Sequence, residues 1–254
     1  MEPVLKVENL TKVFTRKGQP DFTAVDHIGF ELYPGECLGL IGESGSGKTT
    51  VVNMITRLLD CTEGRIVLNG EDITRLSEKG LRKAYSEMQM VFQTPTDSFD
   101  PRCTLGDGIG ESLRNNGMSR AETKQEVARL LTECGLTPEF AARYPHQVSG
   151  GQCQRAAIAR ALAVKPRLLI CDEATSSLDV TIQKEIIALL NELRWQRGAK
   201  LSILFICHDI ALAQSVCDRF LVMYRGKIVE EGAPDEVVQS PKREYTKMLI
   251  ESVL

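Results

Sequence analysis

The sequence predicts an α/β protein with a mostly parallel sheet and helices on the faces of that sheet. Three short apolar runs have the length and composition of buried strands, and they cover Leu168–Asp172, 201–207 and 220–223. Apolar residues at helical spacing separate these runs, at about 180–194 and 210–216. Strands that alternate with helices in this way are typical of a parallel sheet with crossover connections.

The composition is that of a globular protein. The chain has 254 residues, 43% hydrophobic and 26% charged, which is enough for a complete core and a second subdomain. The net charge of −3 argues against a broad surface for polyanions, so no nucleic acid is expected as a partner. A membrane span needs about 20 apolar residues, and the runs here are shorter. The eight cysteines include no Cys-x-x-Cys pair, so we expect reduced thiols.

The N-terminal part of the chain predicts several further strands and one helix. Residues 1–30 alternate loosely and predict edge strands of an antiparallel β subdomain, with a turn at 18–21. Cys37–Ile41 is a short apolar run and predicts a buried strand. From Thr49 onward the apolar residues recur at helical spacing as far as Leu59. Residues 65–68, followed by Asn69-Gly70, predict a strand and a tight turn.

Residues 95–162 predict a helical subdomain inserted into the α/β core. Ser119 and Glu122 have the spacing of a capping box, ahead of an apolar helix face with Leu130 and Leu131. Thr137-Pro138-Glu139 predicts a second helix with proline in its first turn. We therefore expect a single domain over 1–254, whose core covers about 1–94 and 163–254.

A phosphate-binding loop is predicted at Gly42-Glu43-Ser44-Gly45-Ser46-Gly47-Lys48-Thr49, directly before Thr50. Glycines let backbone N–H groups point at phosphate oxygens, and the following helix adds the positive end of its dipole. Lys48 is predicted to reach the β- and γ-phosphates, and Thr49 to place its hydroxyl on Mg²⁺. The alternative is a glycine turn beside a surface lysine. That alternative does not account for the strand before the loop and the helix after it.

Two carboxylates follow the apolar strand Leu168–Asp172. Asp172 is placed to hold Mg²⁺, and Glu173 to polarise an attacking water as general base. A lone Asp-Glu pair after a strand is a solvated acidic loop about as often as it is a functional site. The phosphate loop on a neighbouring strand disfavours the solvated-loop interpretation. His208 and Gln93 also follow strands, and neither indicates a function by itself.

Six motifs stand in a fixed order along the chain. After the phosphate loop come Gln93, Val148-Ser149-Gly150-Gly151-Gln152, Asp172-Glu173, Ser177-Leu178-Asp179 and His208. This order resembles the ATP-binding cassette (ABC) ATPases over essentially the whole chain. The resemblance implies a P-loop NTPase core of the RecA-like type, ATP and Mg²⁺ as cofactors, and ATP hydrolysis as the activity.

The resemblance also implies roles for single residues. Gln93 looks like the residue that senses Mg²⁺ and the transmembrane partner, and His208 like a switch histidine near the γ-phosphate. Asp179 looks like a residue of the dimer interface. Phe14 resembles the aromatic residue that stacks on adenine, although a phenylalanine at the end of a strand has a simpler structural explanation.

The stretch Ser149-Gly150-Gly151-Gln152, here called the signature segment, has the form of an exposed helix start. Serine is a good N-cap, and such a helix end binds anions. By resemblance, Ser149 and Gly151 contact the γ-phosphate held by the opposite subunit. Because the chain already has a phosphate loop of its own, a second anion site suits a partner. Two copies are thus expected to close head to tail around two ATP molecules.

Within the family, the chain is similar to the dipeptide, oligopeptide and nickel importer ATPases. The similarity rests on Gln89-Met90-Val91-Phe92-Gln93, Tyr144-Pro145-His146, Val222-Met223-Tyr224 and Tyr245-Thr246. It implies a homodimer, or a heterodimer with a similar ATPase, at the cytoplasmic face of the membrane. It also implies two transmembrane permease subunits and, indirectly, an extracellular substrate-binding protein. The chain departs from the subgroup pattern at Thr94, Asp100, Val148 and Cys153. These departures leave the transported substrate undetermined.

Two other functions remain as alternatives. One is a cassette ATPase that works without a membrane partner, but the chain has no second cassette, coiled-coil insertion or basic arm. The other is a phosphate-loop kinase or GTPase. That alternative gives the signature segment no task, and no Asn-Lys-x-Asp pattern for guanine is present.

Overall fold

The computed structural model describes residues 1–15, 18, 20–175, 178–197 and 200–252. The strands are β1 (Leu5–Phe14), β2 (Phe22–Leu32), β3 (Cys37–Ile41), β4 (Glu63–Leu68), β5 (Glu71–Asp72), β6 (Met88–Val91), β7 (Leu168–Asp172), β8 (Ser202–Cys207), β9 (Arg219–Tyr224) and β10 (Lys227–Gly232). The α-helices are α1 (Lys48–Ile55), α2 (Glu78–Glu87), α3 (Leu105–Asn115), α4 (Arg120–Glu133), α5 (Gly150–Leu162), α6 (Val180–Arg197), α7 (Ile210–Gln214), α8 (Pro234–Gln239) and α9 (Glu244–Glu251). Short 3₁₀ helices cover Pro95–Ser98, Pro138–Ala142 and Pro145–Gln147.

The larger sheet has six strands in the order β10-β9-β3-β8-β7-β6. Every neighbouring pair is parallel except β9 and β10. All residues of β3, β7 and β8 are buried, as expected for strands covered on both faces. The predicted mostly parallel α/β sheet is confirmed.

The register of this sheet brings the carboxyl ends of four strands to one edge. Ile41 pairs with Cys207, Asp172 with Ile206, and Cys171 with Val91. The residues that follow these strands therefore start from neighbouring positions. In open α/β sheets this edge is where ligands bind.

The smaller sheet is antiparallel, with the order β2-β1-β4-β5. Asn69 (φ 48°) and Gly70 (φ 81°) form the predicted tight turn between β4 and β5, with both residues in the left-handed region. One apolar cluster joins this sheet to α1 and the larger sheet, through residues such as Leu10, Met54 and Leu204. The phosphate-loop helix therefore packs in the core between the two sheets.

Helices α3, α4 and α5 lie between β6 and β7 in the chain, within the block that the sequence predicts to be helical. The capping box at Ser119 is confirmed, since its hydroxyl accepts the Glu122 N–H and the Glu122 carboxylate accepts the Ser119 N–H. Thr104 and Asp107 form a second capping box at the start of α3. These caps satisfy N–H groups that have no partner within their helices.

The elements differ from the sequence prediction in several places. Helix α1 ends at Ile55, because Arg57 adopts φ 59°, and Leu58 beyond it is 63% exposed. The segment after Thr137 forms only a short 3₁₀ helix, Pro138–Ala142, without a buried residue. Strand β10 and helices α2, α8 and α9 are absent from the sequence prediction, and Ala84 is the one buried residue of α2. Over the described ranges, no helix is long and apolar enough to span a membrane.

Candidate functional site

The predicted phosphate loop joins the end of β3 to the start of α1. At two positions of this loop only glycine fits, because neighbouring backbone atoms leave no room for a Cβ. A Cβ on Gly42 (φ 154°) would lie 2.3 Å from the Met223 carbonyl oxygen, and one on Gly47 (φ 110°) would lie 2.6 Å from the Ala24 carbonyl oxygen. Gly47 is also the N-cap of α1 and provides no side-chain cap. The first N–H groups of α1 are thus left without a side-chain acceptor, as a helix end that binds an anion requires.

Lys48, the first residue of α1, is 4% exposed. Its Nζ donates to the carbonyl oxygens of Gly42 at 2.7 Å and Glu43 at 2.8 Å, which folds the side chain back over the loop. Burial lowers the pKa of the Lys48 ammonium, and the charges of Glu173 and Asp172 oppose that shift. The cation therefore lies close enough to both carboxylates to interact with them.

Asp172 ends β7 and is 9% exposed. Its Oδ1 is buried and has no hydrogen-bond partner within the described chain. Burial, and next the charge of Glu173, raise the pKa of Asp172 to about 6, against the attraction of Lys48. Leaving a buried carboxylate oxygen unpaired costs free energy, and a divalent cation is the natural ligand for such an oxygen. The residues present therefore fit Mg²⁺.

Glu173 meets two other predicted residues. Its Oε2 accepts a hydrogen bond from Gln93 Nε2 at 3.1 Å, and its Oε1 lies 3.6 Å from His208 Nδ1. Its backbone is in the left-handed region, with φ 46°, and its N–H donates to the Ile206 carbonyl. A non-glycine residue in that region is held there by its surroundings. The structure thus brings together residues from the ends of β6, β7 and β8.

The signature segment forms the start of α5, as predicted. Ser149 Oγ accepts the Gln152 N–H at 3.3 Å, and Gln152 Oε1 accepts the Ser149 N–H at 3.0 Å. Ser149 and Gly150 are exposed, whereas Gly151 is buried against Ile182 of α6. In the described chain, no hydrogen bond or ion pair joins this segment to the phosphate loop. The helix end is exposed at Ser149 and Gly150, and because the Gln152 N–H is held by the Ser149 cap, the N–H groups of Gly150 and Gly151 are the ones left for an anion.

Asp179 and Phe14 are the remaining predicted residues. Asp179 Oδ1 accepts the N–H groups of Thr181 and Ile182, both at 3.1 Å, at the start of α6. Ser177 of the same motif lies outside the described residues. Phe14 is exposed at the end of β1, with Lys12 Nζ 5.2 Å from its ring centroid. The exposed ring is accessible for stacking.

One contact of the phosphate loop was missed by sequence reasoning. The Glu43 N–H donates to the hydroxyl of Tyr245, in α9, at 3.1 Å. In the sequence, Tyr245 indicates only a subgroup. The two residues are far apart along the chain, and no periodicity or motif spacing connects them.

A family model and two relatives of known function all match this chain, and they indicate the same family. A family model described as ABC transporter matches residues 25–176. The oligopeptide transport ATP-binding protein OppF of Salmonella typhimurium is 44% identical over 232 residues, which cover 91% of this chain and 69% of that protein. The glutathione import ATP-binding protein GsiA of Escherichia coli O157:H7 is 45% identical over 259 residues, which cover 99% of this chain and 41% of that protein.

Two solved structures have the same fold. The dimeric ATP-binding cassette MJ0796, bound to ADP and Pi in a post-hydrolysis state, matches with a TM-score of 0.81 at 29% identity, over 91% of this chain and 98% of that chain. The protein cbiO1 from Clostridium perfringens, part of the ABC transporter complex cbiONQ, matches with a TM-score of 0.83 at 28% identity. The match covers 94% of this chain and 92% of that chain. The predicted P-loop NTPase fold is confirmed. This chain, an ATP-binding cassette with ATPase activity, belongs to the ABC transporter family.

Proposed function

We propose that the chain is the ATP-hydrolysing subunit of a membrane importer. We expect the transported substrate to be a peptide, with nickel as the second candidate. The convergence of Lys48, Asp172, Glu173, Gln93 and His208 at one sheet edge carries the proposal of hydrolysis. The importer and its cargo are supported by OppF and GsiA, whose names specify oligopeptide transport and glutathione import.

The loop from Gly42 to Thr50 binds the triphosphate of ATP. Lys48 leaves the carbonyl oxygens of the loop and moves to the β- and γ-phosphates, which are stronger acceptors. Residues Thr49, Gln93 and Asp172 would hold Mg²⁺, which neutralises charge on the phosphates. The exposed ring of Phe14 stacks on the adenine.

Glu173 is the general base for the attacking water. The amide of Gln93 donates a hydrogen bond to one of its carboxylate oxygens, and the imidazole of His208 lies 3.6 Å from the other, so both side chains are next to the base before ATP is bound. A positioned base of this kind contributes about 10²- to 10⁴-fold to a rate. His208 lies near the γ-phosphate in this arrangement and responds to its presence.

The signature segment and Asp179 act on a partner subunit. The open end of α5 offers Ser149, Gly150, Gly151 and Gln152 to a γ-phosphate held elsewhere. Both half-sites are present in one chain, so a homodimer is chemically competent. A heterodimer with a similar ATPase would use the same surfaces.

In the assembly, the whole chain acts as one ATPase domain at the cytoplasmic face of the membrane. Its helical subdomain covers about residues 95–162. Two permease subunits contact it around residues 94–106, and an extracellular binding protein delivers the cargo to them. Closure of the ATPase dimer on ATP drives the permeases, and hydrolysis resets them.

Substitution of Glu173 tests the hydrolytic role. Glu173→Gln keeps the size of the side chain but removes the carboxylate that accepts the proton. Turnover is therefore expected to fall at least about 100-fold. The variant should still bind ATP and form an ATP-dependent dimer, measured by light scattering. Glu78→Gln, an exposed glutamate at the start of α2, is the control. Turnover that survives Glu173→Gln undiminished would remove Glu173 from the base role.

Purification from detergent-solubilised membranes tests the assembly. The chain is expected to bring down integral membrane subunits when it is captured from its native cells. If no integral membrane protein accompanies it, the importer is contradicted, and a cassette ATPase without a membrane partner takes its place.

A further inference from the structure

The C-terminal helix α9 is hydrogen-bonded to the phosphate loop through one side chain. The Glu43 N–H donates to the Tyr245 hydroxyl at 3.1 Å. That N–H belongs to the peptide group that joins Gly42 to Glu43. The carbonyl oxygen of the same peptide group accepts the hydrogen bond from Lys48 Nζ at 2.7 Å. One peptide plane is therefore held by Tyr245 on its N–H side and by Lys48 on its C=O side.

The position of Tyr245 is itself fixed by two contacts. Its ring stacks on Tyr224 at the end of β9, with ring centroids 3.9 Å apart and 24° between the planes. The start of α9 is anchored by Glu230 of β10, whose buried carboxylate accepts the N–H groups of Lys242 at 2.8 Å and Arg243 at 3.1 Å. These contacts hold the Tyr245 hydroxyl in position next to the phosphate loop.

We propose that Tyr245 is a positioning residue of the phosphate loop, through which α9 contributes to nucleotide affinity. The proposal rests on the proposed ATP site. A loop held in its binding conformation loses less conformational entropy when the phosphates arrive. Without the Tyr245 hydroxyl, the Gly42–Glu43 peptide is free to rotate, and the resting position of Lys48 rotates with it. Nucleotide then binds to a loop that has first to be ordered.

Tyr245→Phe removes only the hydroxyl and keeps the stacked ring. The loss of one neutral hydrogen bond is expected to weaken binding of Mg²⁺-ADP about fivefold, measured by titration calorimetry on the full chain. The KM for ATP should rise by a similar factor while kcat is retained, since the loop holds substrate and transition state alike. A purely structural role would not produce this division between KM and kcat.

Tyr224→Phe is the matched control, because it removes a hydroxyl from the other ring of the same stack. The Tyr224 hydroxyl makes no hydrogen bond in the part of the chain that the structure describes, so this variant should bind ADP as the unsubstituted chain does. Equal ADP affinity for Tyr245→Phe and Tyr224→Phe would overturn the proposal. If the unsubstituted chain does not bind ADP at all, the proposed function fails first, and the inference fails with it.

Hydrogen exchange gives a second measurement, whose first result comes from the unsubstituted chain alone. In the nucleotide-free, unsubstituted chain, the Glu43 amide should exchange slowly, because its N–H is bonded to Tyr245. Tyr245→Phe should accelerate exchange at this amide, and Tyr224→Phe should leave it slow. Rapid exchange of the Glu43 amide in the unsubstituted chain would also overturn the proposal.

Discussion

Asp172 shows how a single residue of the site opposes the stability of the fold. Its carboxylate is buried, next to Glu173, and one of its oxygens has no hydrogen-bond partner in the described chain. Both effects disfavour the ionised form, which is why the pKa rises to about 6. Buried groups of this kind persist where a ligand supplies what the protein lacks. The unfavourable environment of Asp172 therefore supports the proposed Mg²⁺ site.

The raised pKa of Asp172 predicts a pH dependence of stability without nucleotide or metal. The unfolded chain releases this proton near pH 4 and the folded chain near pH 6, so between these values the folded state binds more protons. The contribution of Asp172 to the free energy of unfolding is therefore present below about pH 4 and is lost as the pH rises through about 6, by on the order of 1–3 kcal/mol. Denaturant titrations at a series of pH values measure this loss.

Asp172→Asn is the control for that measurement, since the amide does not titrate. Other carboxylates titrate in the same pH range, so the informative quantity is the difference in free energy of unfolding between the unsubstituted chain and Asp172→Asn. This difference should change in favour of Asp172→Asn as the pH rises from 4 to 6. A difference that is constant over the range would contradict the assigned environment of Asp172.

At the scale of elements, the contact between α5 and α6 gives the signature segment its position. A Cβ on Gly151 would lie 2.6 Å from Ile182 Cγ2, whereas one on Gly150 would meet only Leu178 Cδ2, at 3.2 Å. Gly151→Ala is therefore expected to destabilise the chain by about 1–3 kcal/mol through overpacking. Gly150→Ala should have little effect on stability, and denaturant unfolding without nucleotide compares the two variants.

A second substitution separates the contact from other effects of alanine. Ile182→Ala makes room for the added methyl group, so Gly151→Ala should cost less in that background, as a double-mutant cycle would show. Equal stability of Gly151→Ala and Gly150→Ala would mean that α6 does not hold the signature segment as closely as described.

The elements that the sequence predicted best are those with strong local signals. The buried strands β3 and β7 and the capping box at Ser119 each follow from a run or a spacing, and the structure confirms them. Helix α2 has Leu81, Ala84 and Tyr85 at helical spacing but buries only Ala84, and the sequence prediction did not include it. The segment after Thr137 has a proper helix start but no apolar face to continue it. A start signal without burial gives only one or two turns.

At the scale of the whole molecule, motif order proposes residues for the site but does not say how they meet. Gln93, Glu173 and His208 were identified from motif order, and their contacts depend on the order of β6, β7 and β8 in the sheet. The bond from Glu43 to Tyr245 depends on the position of α9, which no local pattern specifies. Residue types at a site can be predicted from local sequence, whereas their distances require the topology.

The central claim is that each chain provides half of two ATP sites. Mixing two inactive variants tests it directly. Lys48→Ala disables the phosphate loop. Ser149→Asp keeps a good N-cap but places a negative charge against the partner's γ-phosphate. Alone, each variant should be inactive, because both sites of its homodimer are damaged.

In a mixed dimer, one site combines the intact phosphate loop of Ser149→Asp with the intact signature segment of Lys48→Ala. Random pairing therefore predicts that ATPase activity returns to roughly a quarter of that of the unsubstituted chain. A mixture that stays as inactive as its components, while Glu173→Gln still dimerises with ATP, would contradict the claim of shared sites.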